Sequence, residues 1–104
     1  DKFRIVLPDI VFDDSLTLVC GHLRLELEHV GGQHAEDSIV VKVPQEQVQF
    51  LGDCYYPPPL HLQTPESKTS MSMLATLESK EYTHYVSGHA KPMTRSALLR
   101  MLGK

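Results

Sequence analysis

Three polar residues of this chain share one structural address, the end of a strand or the loop beside it: His34, Asp53 and His89. Imidazole nitrogen and carboxylate oxygen are donors that suit zinc, iron or manganese. A carboxylate at the end of a strand has little freedom, so it can be aimed at a metal ion or a substrate. Whole elements of structure separate the three, as when a site is assembled by folding and not by a local motif. Each also has a plainer reading: a lone histidine is most often a surface or capped residue, and a Gly-Asp at a strand end is most often a turn.

The elements that position them are legible. Gly31-Gly32-Gln33-His34 forms a glycine loop, and Ile39, Val40, Val41 and Val43 follow as a strand with apolar groups on both faces and only Lys42 intervening. Such a strand is central and covered on two sides. Residues 44–47 turn the chain, and a second strand over residues 48–51 ends on Gly52-Asp53. In an antiparallel hairpin the start of one strand and the end of the other lie on the same rim, which predicts that His34 sits near Asp53.

Upstream, residues 3–7 form a short apolar run stopped by Pro8, and Ile10-Val11-Phe12 precedes a turn at Asp13-Asp14-Ser15. Leu16, Leu18 and Cys20 alternate with Thr17 and Val19, and Gly21-His22 is a glycine-first two-residue hairpin turn. Leu23, Leu25 and Leu27 then alternate with Arg24, Glu26 and Glu28, the pattern of a strand with one wet face.

Downstream, residues 54–59 carry three successive prolines, which lack backbone donors, so this is a stiff exposed connection. It leads into a helix with Thr64 as cap, Pro65 in the first turn, Glu66 near the positive end of the dipole, and Met71, Met73, Leu74 and Leu77 as the buried stripe. Residues 82–86 form another strand, which runs out at Ser87-Gly88-His89. Residues 92–102 form a last helix with Ala97, Leu98, Met101 and Leu102 inward and Gly103 as a stop. The expectation is one α+β domain over residues 1–104, with four or five antiparallel strands, a helix, a strand and a helix, the helices lying on one face. Two helices on one face leave the other side of the central strand bare. A few hundred square ångströms of wet apolar surface would forgo roughly 5 to 10 kcal/mol, comparable with the whole stability of a small domain, so that face needs a second layer.

The net charge of −3 is scattered along the 104 residues with no basic stripe, which weighs against nucleic-acid binding. No apolar run is long enough to span a membrane, and no secretory signal is present although the chain begins at Asp1, so a piece of a longer protein is expected. Cys20 and Cys54 make no disulfide framework, which suits a reducing, cytoplasmic setting.

Four further residues could stand behind the three: His29, Ser38, Cys54 and Ser87. His29 is in phase with the leucines of its strand and reads as a half-buried histidine bonded to backbone. Cys54 reads as a structural thiol. Tyr55 and Tyr56 could line a cleft or pack on the prolines, and His22, His61 and His84 read as turn or wet-face residues.

Taken together, Gly31-Gly32-Gln33-His34, the strand ending at Pro44, Val48-Gln49-Phe50-Leu51-Gly52-Asp53, and Ser87-Gly88-His89 resemble the C-terminal half of the metallo-beta-lactamase fold over nearly the whole chain. The resemblance implies two metal ions, usually zinc: His34 on the first, His89 on the second, and Asp53 bridging both as the catalytic carboxylate. It further implies hydrolysis of an ester, amide or thioester by a metal-activated water. The chain departs from the family where Ala35-Glu36-Asp37 replaces a frequent Thr-Pro-Gly, and it lacks the His-x-His-x-Asp-His motif that the N-terminal half supplies. In the full αββα sandwich the two halves pack sheet on sheet, so a lone half would present the bare face deduced above. The expectations are therefore an inactive piece of a hydrolase of small molecules, partnered by the missing half or by a second copy, or else a non-catalytic domain keeping the three residues as a structural metal site.

Overall fold

We describe residues 2–104 of a computed structural model. Six strands form one sheet in the order β1 (Ser15–Cys20), β2 (Leu23–His29), β3 (Ile39–Val43), β4 (Val48–Gly52), β5 (His84–Ser87) and β6 (Met93–Thr94). The first four are antiparallel neighbours. Gly21 supplies the turn between β1 and β2 at φ +62°, where a side chain would be strained. A single turn of 3-10 helix over Pro44–Glu46 joins β3 to β4, with Gln47 left-handed at φ +55°.

Alternation decides which residues enter the core. Val40, Gln49, Leu51 and Tyr85 project to one side of β3, β4 and β5 and are wholly buried, as are Leu74 and Leu98 from the two helices, α1 (Met71–Leu77) and α2 (Arg95–Met101). Across the other face, the register sets Leu18 beside Leu25, Leu16 beside Leu27, Leu27 beside Val41, Val41 beside Phe50 and Phe50 beside Val86. These residues are only half-buried or, like Phe50 at 43%, exposed. The α+β class with helices on one face is as expected. The opposite apolar face carries no layer among the described residues. A radius of gyration of 15.3 Å exceeds the roughly 13 Å of a compact chain of this length, as an open half-sandwich should.

The apolar run over residues 3–7 lies outside the sheet, and Ile5, Val6 and Leu7 are exposed. Three expectations are corrected. The strand after α1 spans His84–Ser87 and runs parallel to β4, because α1 forms a crossover connection. The first helix begins at Ser70, not Thr64. The Ser67 amide donates to the Thr64 carbonyl (3.0 Å) and the Thr64 amide to Ser67 Oγ (2.9 Å), closing a local turn. The Ser70 amide is drawn to the Tyr55 carbonyl at 2.8 Å, and Ser70 Oγ then caps the helix by accepting from Met73 N. The last helix starts at Arg95, since Met93 and Thr94 pair with Tyr85 and His84 and Thr94 Oγ1 caps Ala97 N.

No helix among the described residues is long and apolar enough to cross a membrane. Both cysteines are free, Cys20 exposed and Cys54 buried.

Candidate metal centre

The loop between β2 and β3 is held on two sides. Val30 and Gly31 amides both donate to the Ser38 carbonyl at 3.0 Å, closing the loop on itself. The Gln33 amide then staples it to the following segment, donating to the carbonyls of Lys68 (2.6 Å) and Tyr56 (3.0 Å). His34, next in sequence, is left little choice of direction. Its Nδ1 lies 2.9 Å from the Pro57 carbonyl. A carbonyl can only accept, so Nδ1 carries a proton, and in the neutral form of the ring Nε2 carries the lone pair. Nε2 faces Asp53 Oδ2 at 3.5 Å.

Asp53 arrives from the other end of the hairpin. The ladder between β4 and β5 shifts register between Phe50 and Gly52, setting Gly52 beside Ser87, and the Gly88 amide donates to the Gly52 carbonyl at 2.8 Å. The two strand ends are thus tied together one residue before each functional side chain, and His89 Nε2 approaches the same Asp53 Oδ2 at 3.2 Å. His34 and Asp53 are partly shielded, with side chains 26% and 31% exposed, while His89 is open at 70%. The structure therefore brings the three candidates from three separate segments to one carboxylate oxygen. Among the described residues, no group of three or more His, Cys, Asp or Glu is arranged to hold a metal ion by itself; two pairs share an oxygen instead of surrounding a common point.

The four candidate supports part company. Ser87, 8% exposed, shares a 2.9 Å hydrogen bond between its Oγ and Tyr56 OH. The Tyr56 ring meets His89 edge-on at 5.4 Å and 69°. Ser38 contributes backbone to the loop but no side chain to the site. His29 bonds the Glu36 carbonyl through Nε2 at 2.7 Å, the backbone role expected of it, though it is exposed and not half-buried. Cys54 points into the core, where burial pushes its thiol up to about 11, against thiolate formation. Tyr56 does more than pack on prolines. Gln33, Tyr56 and the Pro57 carbonyl act through contacts to residues 23 or more positions away, and nothing in their local sequence announces it.

No family model matches the sequence. A metallo-beta-lactamase type 2 from Bacteroides fragilis is 41% identical over 46 residues, 44% of this chain and 18% of that protein. Among solved structures, a metallo-beta-lactamase from Pontibacter korlensis superposes with a TM-score of 0.63 at 23% identity, over 92% of this chain and 47% of that one. An archaeal metallo-beta-lactamase superfamily protein from Sulfolobus tokodaii gives a TM-score of 0.65 at 17% identity, over 90% of this chain and 38% of that one. The chain has a metallo-beta-lactamase fold. It spans about half the length of these structures or less, so the metallo-beta-lactamase fold is represented here by one sheet and its helices.

Proposed function

We propose that this chain is the C-terminal half of a zinc-dependent hydrolase, and that His34, Asp53 and His89 are part of its metal centre. The observation that carries the reading is electrostatic. The Nε2 of His34 and a carboxylate oxygen of Asp53 face one another at 3.5 Å with the other ring nitrogen held by the Pro57 carbonyl, an arrangement that is favourable only with a cation, a proton or a metal ion, between them. Fixing a ligand histidine by a backbone carbonyl on its other nitrogen is how metal-bound imidazoles are oriented. Nitrogen and oxygen donors of this kind fit zinc, with iron or manganese as alternatives.

In this reading His34 and His89, each through Nε2, and Asp53 would hold the metal. Bound zinc would polarise the carbonyl of an ester, amide or thioester and lower the pKa of an attacking water. Tyr56, hydrogen-bonded to Ser87 and edge-on to His89, keeps the His89 ring in place. Three donors do not satisfy two ions, so the remaining donors come from the complementary half of the fold, which also covers the apolar face of β1–β5. The 104-residue chain alone is then inactive. A second copy docked by the same sheet face is the alternative cover, favoured by the exposed Phe50 in the middle of β4. A reducing, cytoplasmic setting suits the free Cys20.

The test combines metal analysis by atomic spectroscopy with turnover of lactam, lactone and thioester substrates, on the chain alone and after joining it to the complementary half. Activity confined to the joined protein, with bound zinc, supports the proposal. Turnover by the isolated chain with a full dinuclear complement would refute the division of the site. Sedimentation velocity of the isolated chain decides between an open monomer and the second-copy alternative.

A further inference from the structure

We infer that Gly88 is a positioning residue whose missing side chain forms the slot for the Asp53 carboxylate; this rests on the metal centre proposed above. Gly88 has no left-handed φ, so its backbone is one that any residue adopts, and conformational freedom does not explain a glycine there. Space does. A Cβ built on Gly88 would overlap Asp53 Oδ1 and come within 3.2 Å of its Cγ, with the Gly52 carbonyl oxygen 3.5 Å away.

The slot is rigid because the Gly88 amide is bonded to that same Gly52 carbonyl at 2.8 Å. One carboxylate oxygen therefore lies against Gly88, and the other, Oδ2, is turned toward His34 and His89. The arrangement links the two ends of the site: the residue preceding His89 sets the pose of the residue that both histidines face. Alanine at this position can be accommodated only by rotating the Asp53 side chain, since the backbone on both sides is tied by the ladder between β4 and β5.

The experiment is Gly88→Ala in the 104-residue chain, read by a metal-free crystal structure, thermal melting and titration with Co2+. The expected variant melts within a few degrees of the parent, its Asp53 carboxylate is rotated so that Oδ2 no longer contacts His89, and its Co2+ affinity is about tenfold lower or worse. An unmoved carboxylate, or unchanged Co2+ affinity, overturns the inference. If neither the parent chain nor the chain joined to its complementary half takes up Co2+, the metal reading falls while the carboxylate's position in the variant still decides the slot. If Gly88→Ala lowers the melting temperature steeply, the double variant with Asp53→Ala must restore it to that of Asp53→Ala alone; failure to do so places the clash elsewhere and refutes the slot.

Discussion

Asp53→Asn separates a functional carboxylate from a structural one. In the metal-free chain the carboxylate is 31% exposed, and its hydrogen bond to His89 involves a ring that is 70% exposed, so this pair is worth at most about 1 kcal/mol after solvent screening. Against it stands the contact with the His34 lone pair at 3.5 Å, which is repulsive for a neutral ring. An amide placed with Nδ2 toward His34 turns that repulsion into a hydrogen bond worth about 1 kcal/mol. The gain and the loss nearly cancel. Metal-free Asp53→Asn should unfold in urea within about 1 kcal/mol of the parent, on either side. Loss of the shared negative charge should at the same time weaken Zn2+ or Co2+ binding at least 10- to 100-fold, and should lower turnover of the protein joined to its complementary half by orders of magnitude. Paired urea and Co2+ titrations in mildly alkaline buffer read both quantities. A variant destabilised by several kcal/mol, or one that binds metal as the parent does, would show that Asp53 is only a turn residue.

Gln33→Ala removes donors to the Lys68 and Tyr56 carbonyls, at a cost of about 1 to 2 kcal/mol; hydrogen exchange should quicken in residues 30–38 and 66–70 while the β2–β3 ladder stays protected. Stability should fall as pH rises from about 9 to about 11, because burial raises the Cys54 thiol from 9.0 to about 11. The folded chain holds a proton there that the unfolded chain releases, so unfolding is favoured by on the order of 2 kcal/mol across that window. Buried Tyr55, Tyr82 and Tyr85, also raised by burial, act in the same direction, and alkaline urea titrations of parent and Cys54→Ala isolate the thiol's share. Phe50→Lys on the bare face should leave the melting temperature nearly unchanged but reduce self-association of the isolated chain and its binding to the complementary half, as read by sedimentation.

Period-two alternation in residues 15–51, together with the glycine-first turn, was enough to fix β1 to β4, their faces and the meeting of His34 with Asp53 on one rim. It was also enough to foretell a bare apolar face, because a strand such as Ile39–Val43 with few polar positions has nowhere to hide its second side. These are local properties, set by which way each Cβ points. Tertiary structure decided the rest. The helix starting at Ser70 is short because its upstream carbonyls and amides are claimed by Gln33 and Tyr55. The parallel pairing of β5 depends on where α1 sets the chain down. The His34 ring is aimed by a carbonyl 23 residues away, and the room for the Asp53 carboxylate is set by a glycine just past the end of β5. Hydrogen-bond partners and free volume belong to the assembled fold, so no stretch of sequence taken alone could state them.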